Sequence, residues 1–276
     1  MTGDEAVALA CRAFGADPAE TAVLRAADAI TVDLADGRVA RVVPDADADA
    51  ERVIAALPLL DGRVLEPLAP PRRVDGALAI AYPRVTPGLE GRDNLAMGGA
   101  CLAGLHRIDV DAVDLPAFDP ARIATRWLDR GDVLLAHERD ALLDAIAAAW
   151  PAVVGPRAVI HGDAHPANWW VAREDWWVLI DPEFLSLGPA VYDLAPLEVV
   201  ERRLGLGPSR FPSFLAGYES VAGPVDPAAL AAAIRVRELL AVAWLAGRAG
   251  DDSELAVRTR QRLDDALAGR DGSWLA

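Results

Sequence analysis

This chain has 276 residues, 53% of them hydrophobic, and a formal net charge of −15 at pH 7. The negative charge argues against a nucleic-acid partner, because phosphate backbones attract basic surfaces. No apolar run approaches the roughly 20 residues of a membrane span, the acidic start is unlike a secretory signal, and two cysteines give no disulfide framework. We therefore expect a cytoplasmic protein of one large domain or two lobes.

The first 84 residues show the pattern of a small antiparallel sheet with a helix. Asp36-Gly37 joins two β-rich runs, which is a strong hairpin signal. The acidic run from Asp45 to Glu51 predicts a helix start, because negative charge is favoured there. The predicted elements are a helix over Glu5–Phe14, strands over Ile30–Leu34 and Arg38–Val43, a helix over Ala46–Leu57, and strands over Arg63–Leu68 and Leu78–Val85.

The sequence after a hinge marked by Pro83, Pro87 and Gly88 is rich in helical patterns. Helices are predicted over Asn94–His106, within Ile123–Trp150, and over Ala190–Leu204, Arg210–Val221, Pro227–Leu245 and Ser253–Leu267. We therefore predict an N-terminal lobe of residues 1–84 and a C-terminal lobe of residues 85–276.

The stretch from Val159 to Leu194 contains the residues that indicate chemistry. Asp163 is followed by Asn168 and then by Asp181. Phosphoryl transfer from a nucleotide needs one carboxylate that orients the attacking hydroxyl, and a neutral oxygen ligand and a second carboxylate that hold Mg²⁺ on the phosphates. Asn168 is one of only two Asn residues in the chain, so its presence at this position is informative.

Local patterns predict how these residues come together. Arg157–Ile160 reads as a strand, and two further strands, Trp169–Val171 and Trp176–Ile180, are joined by a polar turn. Asn168 lies at the entrance of that hairpin and Asp181 at its exit. A hairpin places its entrance and exit at the same end, so both residues can bind one ion.

These motifs resemble the catalytic core of the aminoglycoside phosphotransferase and choline kinase group, small-molecule relatives of the protein kinases. The family motif H-G-D-x-x-x-x-N runs here from His161 to Asn168, and its I-D-x-E is Ile180 to Glu183. Tyr192-Asp193-Leu194-Ala195 resembles the family's Y-D-L-A helix start, and LAGLHRID resembles its L-H-x-I segment.

The resemblance implies an α+β, two-lobed protein-kinase-like fold with a small antiparallel-sheet N-lobe and a mainly helical C-lobe. It also implies Mg²⁺ as cofactor and ATP, or alternatively GTP, as co-substrate. The resemblance implies that Asp163 is the catalytic residue and that Asn168, Asp181 and Glu183 bind the metal ion. It also implies that His161 and Asp193 brace the catalytic loop, and that the backbone from Tyr82 to Val85 contacts the nucleotide base.

Two features depart from the kinase pattern. Kinases bind the phosphates with a strand Lys that pairs with a helix Glu, but this chain contains no Lys. Arg41 is the nearest substitute for this Lys, and Glu51 or Glu66 is its expected partner. Arg38 is the rival candidate for the same role, but its side chain should point to the opposite face of the strand. The second departure lies in residues 24–32, where no Gly occupies the expected position of the phosphate loop.

Other interpretations of the same residues stay open. His161, Asp163 and His165 alternate, so on a strand they would present three metal ligands on one face, as in a zinc hydrolase. The missing Lys and Gly residues fit a nucleotide-binding pseudokinase without turnover. Our main hypothesis is a phosphotransferase whose partners are a nucleotide and a small-molecule acceptor such as an aminoglycoside, another antibiotic, an amino alcohol or a sugar.

Overall fold

The computed structural model describes residues 1–26, 29–44, 46–87, 95–173, 176–205, 210–250, 252–270 and 274. Three residues that the sequence analysis names, Asp45, Gly88 and Asn94, lie outside these ranges, and so do residues 174 and 175 of the polar turn between the two predicted hairpin strands.

The chain forms two compact units. Unit 1 consists of Met1–Glu90, Asp111–Pro116 and Ala167–Glu183, and unit 2 of Gly91–Val110, Ala117–Pro166 and Phe184–Ala276. The predicted boundary was a single division after residue 84. The observed grouping differs from it mainly because the hairpin of residues 167–183 belongs with the N-terminal sheet.

Unit 1 is built around a five-stranded antiparallel sheet in the order β1-β2-β3-β5-β4. Its elements are α1 (Gly3–Phe14), β1 (Ala22–Ala26), β2 (Ile30–Asp33), β3 (Arg38–Val43), α2 (Ala48–Ala56), β4 (Arg72–Val74) and β5 (Ala77–Pro83). The predicted strands at β2, β3 and β5 are confirmed. The acidic run does start a helix, since the Asp47 side chain accepts the Ala50 N–H at 2.9 Å.

The predicted strand over Arg63–Leu68 is wrong. Only Val64 forms a bridge, with Leu179. The Leu65 N–H bonds to the Leu179 carbonyl at 2.8 Å, whereas the Leu68 N–H bonds to the Ala81 carbonyl at 2.8 Å. The segment therefore changes partner within a few residues, and Pro67, which lacks an N–H, interrupts any ladder.

The two faces of the five-stranded sheet differ in what they contact. Ala40 and Val42 of β3 lie in a buried cluster with Ile30 and Val32 and with residues of α1. Because side chains alternate along a strand, Arg41 lies on the other face. Helix α1 thus decides which face of the sheet is buried against it and which carries the Arg41 side chain.

Unit 1 also contains a three-stranded sheet in the order β6-β8-β9. Its strands are β6 (Thr86–Pro87), β8 (Trp169–Arg173) and β9 (Trp176–Leu179). Trp169 pairs with Leu179, and the Ile180 N–H donates to the Asn168 carbonyl at 2.9 Å. The predicted hairpin is therefore confirmed, and its two ends meet as expected.

Unit 2 is mainly helical. Its elements are α3 (Leu95–Leu105), α4 (Pro120–Leu128), α5 (Ala136–Ala149), β7 (Arg157–Ile160), β10 (Ser186–Pro189), α6 (Ala195–Leu204), α7 (Phe211–Ala222), α8 (Pro227–Arg248) and α9 (Ser253–Ala268). The strand pair β7–β10 is antiparallel. Within the described ranges, no helix combines the length and apolar character that crossing a bilayer requires.

Helices α3 and α7 approach each other so closely that their backbones touch. A methyl group added at Gly99 would lie 2.0 Å from the Phe214 carbonyl oxygen, and one at Gly217 would lie 1.9 Å from the Ala96 carbonyl oxygen. These distances are shorter than any van der Waals contact, and the obstructing atoms are backbone atoms of the neighbouring helix. Glycine at both positions is therefore a packing requirement.

We expect Gly217→Ala to lower the free energy of unfolding by about 1–3 kcal/mol, because the added methyl must push the two helices apart. Urea unfolding of the full chain measures this. The control is Ala147→Ser at an exposed position of α5, where the change should stay within about 0.5 kcal/mol. A Gly217→Ala protein as stable as this control would contradict the packing described.

Candidate active site

Arg41 of β3 binds two carboxylates of the segment that follows β9. Its Nη1 contacts Asp181 Oδ1, and its Nη2 donates to Glu183 Oε2 at 3.0 Å. Burial lowers the pKa of Arg41, but the charges of Asp181 and Glu183 outweigh that effect and raise it above its ordinary value. The structure therefore brings together one cation and two carboxylates that the sequence analysis placed in the nucleotide site.

Asp181 is held in an uncommon backbone conformation. Its φ of +64° lies in the left-handed region, which costs a non-glycine residue roughly 1–2 kcal/mol. The residue follows β9 directly and precedes the short helical turn Pro182–Phe184. Such conformations persist where the surroundings fix them, and they cluster at functional sites.

A second arginine reaches Asp181 from β1. Arg25 Nη1 lies 3.3 Å from Asp181 Oδ2. The two carboxylate oxygens of Asp181 therefore contact different guanidinium groups, Arg41 at one oxygen and Arg25 at the other. The sequence analysis did not identify Arg25, because no motif in its neighbourhood distinguishes it from an exposed strand charge.

The oxygen-bearing side chains of unit 1 fit a hard divalent cation by their chemistry. Asp181 and Glu183 supply carboxylates and Asn168, which is buried, supplies a carboxamide. Carboxylate and amide oxygens are the ligands that Mg²⁺ prefers, whereas imidazole and thiolate ligands favour zinc. These three residues could therefore hold Mg²⁺.

In unit 2, the backbone at His161 and Gly162 is fixed by one buried carboxylate. We call His161–Pro166 the HGD loop. Asp193 accepts the N–H of His161 at 2.6 Å and that of Gly162 at 2.7 Å, and its Oδ2 lies 3.1 Å from His106 Nε2. The Asp193 side chain is fully buried. A charge in that position is tolerated because it is hydrogen-bonded, and in return it fixes the loop.

Gly162 is required at the turn of the HGD loop. Its φ is +79°, and an added Cβ would lie 2.5 Å from the Phe184 carbonyl oxygen. A side chain is thus excluded both by the backbone conformation and by the close approach of another segment. The turn places Asp163 immediately after two anchored residues.

Asp163 forms an ion pair with an arginine from the long helix α8. Arg237 Nη2 lies 2.6 Å from Asp163 Oδ1, and His165 Nε2 lies 3.5 Å from Asp163 Oδ2. Burial raises the pKa of Asp163, but the charges of Arg237, His165 and His161 outweigh it, so the pKa lies below its ordinary value. The carboxylate is therefore held ionised. The sequence analysis did not identify Arg237 because it lies on a distant helix.

Other predicted site residues lie apart from these contacts. Glu51, the proposed partner of Arg41, pairs instead with Arg73, because α2 presents it to β4. Glu51 therefore does not pair with Arg41 in this structure, and its role in the nucleotide site stays a prediction. Glu66 is exposed, and Arg38 bonds to Asp36 and to the Phe14 carbonyl.

Tyr82 and Val85 were predicted to contact a nucleotide base through the backbone. Tyr82 pairs with Val39 in the sheet, and burial raises the pKa of its phenol to about 12. Val85 lies just beyond the end of β5. Their contact with a base stays a prediction.

The zinc interpretation of His161, Asp163 and His165 does not match the geometry. His161 is fully buried and its Nδ1 accepts the Asp163 N–H at 3.3 Å, while the Asp163 carboxylate contacts Arg237. Across the residues that the structure describes, no group of three or more His, Cys, Asp or Glu side chains is placed to hold a metal ion.

Comparison with known proteins identifies the family. The model of the phosphotransferase enzyme family matches residues 18–233. The chain belongs to the phosphotransferase enzyme family. The matched range contains the HGD loop, the hairpin of β8 and β9, and the Asp193 turn, so the resemblance inferred from the motifs is confirmed. No curated protein matches the sequence closely enough to count as a relative.

Solved structures of other phosphotransferases share this fold. A choline/ethanolamine kinase family protein from Mesorhizobium loti superposes with a TM-score of 0.67 at 18% identity, covering 98% of this chain and 94% of its own. An amicoumacin kinase with AMP-PNP and Ca²⁺ gives 0.73 at 12% identity, covering 93% and 90%. An aminoglycoside phosphotransferase from Streptomyces rimosus with ADP and streptomycin gives 0.65 at 19% identity, covering 87% and 99%.

These similarities confirm the predicted fold class. The antiparallel sheet lies in unit 1 and the helices α3 to α9 lie in unit 2, as in protein-kinase-like phosphotransferases. At these identities the likeness concerns the fold.

Asp193→Asn should destabilise the protein by about 1–3 kcal/mol, because an amide keeps the shape but turns an NH₂ group toward a buried N–H that then lacks an acceptor. Denaturant unfolding measures the loss. Asp144→Asn, at an exposed position of α5, makes the same chemical change without such contacts. If the two variants lose equal stability, Asp193 does not anchor the loop as described.

Proposed function

We propose that this protein transfers the γ-phosphoryl group of ATP, or of GTP, to a hydroxyl group of a small molecule. The observation that supports this best is the meeting of Arg41 with Asp181 and Glu183 on one sheet face. A fixed cation beside two carboxylates provides a ligand for phosphate oxygens and ligands for the metal ion that accompanies them. Phosphotransferases with this fold have been solved with ADP or AMP-PNP, which favours ATP.

In this proposal Asp163 orients the hydroxyl of the acceptor. The hydroxyl oxygen forms a bond to the γ-phosphorus while the bond from that phosphorus to the β–γ bridging oxygen breaks. The hydroxyl proton passes to Asp163 or to solvent. Because phosphoryl transfer has a loose transition state, the nucleophile needs positioning more than a strong base. An ionised carboxylate on a loop fixed by Asp193 suits that task.

Asn168, Asp181 and Glu183 are proposed to hold Mg²⁺. When bound, the ion neutralises charge on the phosphates and on the leaving group. Arg41 takes the place of the kinase lysine, and its planar fork can bind phosphate oxygens bidentately. His161 contributes through its backbone N–H, which Asp193 accepts.

The acceptor is proposed to be a hydroxyl-bearing small molecule such as an aminoglycoside, another antibiotic, an amino alcohol or a sugar. The similar proteins are named for choline or ethanolamine, for amicoumacin and for aminoglycosides. The decisive experiment is a screen of these classes with ATP or GTP and Mg²⁺, read by the mass gain of one phosphate. A wild-type protein that binds nucleotide but phosphorylates nothing in the screen and does not hydrolyse ATP would favour a pseudokinase.

Asp163→Asn should lower kcat by roughly 10²-fold or more, within the range of a positioned acid–base group. The Kd for AMP-PNP should change little, whereas the melting temperature should fall, because Arg237 loses its ion pair with the Asp163 carboxylate. Steady-state kinetics on the acceptor found in the screen measure the effect. Asp140→Asn, on the exposed surface of α5, is the matched control. Full turnover by Asp163→Asn would remove Asp163 from the catalytic role.

Arg237→Met should move the acid limb of the pH–rate profile to higher pH. The pKa of Asp163 is low because Arg237 and the two histidines outweigh burial. Arg237 is the largest of these opposing charges, so its removal raises the pKa. Because the ionised form of Asp163 is the active one, the variant should lose activity at a higher pH than the wild type when the pH is lowered. Arg235→Met is the control, because Arg235 lies two positions away on α8 and bonds to the Leu267 carbonyl instead. Identical acid limbs in the two variants would contradict the assignment.

A further inference from the structure

Arg25 and Arg41 lie in one cross-strand row on the same face of the sheet. Arg25 of β1 pairs with Thr31 of β2, and Thr31 pairs with Arg41 of β3. Directly paired residues of antiparallel strands present their side chains on the same face. The two guanidinium groups therefore flank Thr31, and both reach the Asp181 carboxylate.

A β-bulge in β1 places Arg25 on that face. Val23 pairs with Val32, but the register then shifts, so Leu24 and Arg25 together oppose Thr31. Without the bulge, strict alternation would pair Arg25 with Ile30 and direct it to the face that packs against α1. Bulges of this kind reorient a side chain next to functional sites.

The charges of this cluster are balanced within the protein. The cations of Arg25 and Arg41 face the carboxylates of Asp181 and Glu183. The carboxylate oxygens of Asp181 that contact the arginines are the same atoms that a metal ion would bind. The arginines are in turn the cations that phosphate oxygens would attract. A metal ion alone competes with two arginines for Asp181, whereas a metal nucleotide offers phosphates to those arginines at the same time.

We propose that Arg25 is a second phosphate-binding residue and that Asp181 exchanges counter-ions when nucleotide binds. Without nucleotide, Asp181 pairs with Arg25 and Arg41. With metal nucleotide, Asp181 turns to the metal ion and the two arginines turn to the phosphates. Arg25, near the end of β1, thereby compensates for the absence of glycines in residues 24–32. This inference rests on the proposed function, because it assumes that the nucleotide binds at Asp181.

The proposal predicts effects of opposite sign for one substitution. Arg25→Ala should weaken AMP-PNP binding in the presence of Mn²⁺ by about five- to tenfold, because one charge-assisted contact to phosphate is lost at a partly exposed site. It should also tighten the binding of Mn²⁺ alone by about twofold or more, because one competitor for Asp181 is removed. Arg25→Lys should restore part of the nucleotide affinity.

The experiment measures both affinities on the full chain, by titration calorimetry for AMP-PNP and by electron paramagnetic resonance of free Mn²⁺ for the metal alone. Arg12→Ala is the matched control, since Arg12 is an equally exposed arginine of unit 1 that pairs with Asp75. It corrects for the general effect of removing one positive charge, and it should leave both affinities near those of the wild type.

Two results would overturn the proposal. If Arg25→Ala behaves like Arg12→Ala in both titrations, Arg25 is an ordinary surface charge. If Arg25→Ala weakens both ligands, Arg25 supports the site structurally and does not compete for Asp181. When either result accompanies acceptor phosphorylation by the wild type, only this inference fails. A wild type that binds no nucleotide would overturn the proposed function together with it.

Discussion

The buried carboxylate of Asp193 is the contact on which the geometry of the HGD loop depends. A fully buried charge is stable only when its hydrogen-bonding capacity is used, and Asp193 uses it on two consecutive backbone N–H groups and on His106. Moving the loop away would leave that charge without its partners. The free-energy cost of breaking these hydrogen bonds keeps His161 and Gly162 in place. The positive φ of Gly162 then sets the backbone direction at Asp163, the next residue.

Arginine provides every positive charge of the chain apart from its histidines and its terminus. The carboxylates of Asp163 and Asp181 are therefore both paired with arginines. Arg237 pairs with Asp163 within unit 2, and Arg25 and Arg41 pair with Asp181 within unit 1. An arginine stays protonated even when buried, whereas a buried lysine can lose its proton. Arg41 and Arg237 can therefore lie in partly buried positions beside carboxylates without losing their charge.

Local signals in the sequence were sufficient for most of the secondary structure. The Asp36-Gly37 turn, the acidic helix start and the hairpin of β8 and β9 were predictable because each depends on residues close together in the chain. The segment Arg63–Leu68 was mispredicted because its apolar residues bond to two separate partners, Leu179 and Ala81. The strand β4 and the short strand β10 were not predicted, since their pairing depends on neighbours that no local pattern specifies.

The sequence by itself determined the family and the identity of its motif residues, because the spacing of Asp163, Asn168 and Asp181 is a local property of one loop and one hairpin. Only the tertiary structure decided the partners of those residues. Arg237 reaches Asp163 from α8, Arg25 reaches Asp181 because of a bulge in β1, and Glu51 is turned to Arg73 by α2. An ion pair forms only when the packing of distant elements brings two charged side chains together. The pattern of charges along the chain does not specify that packing.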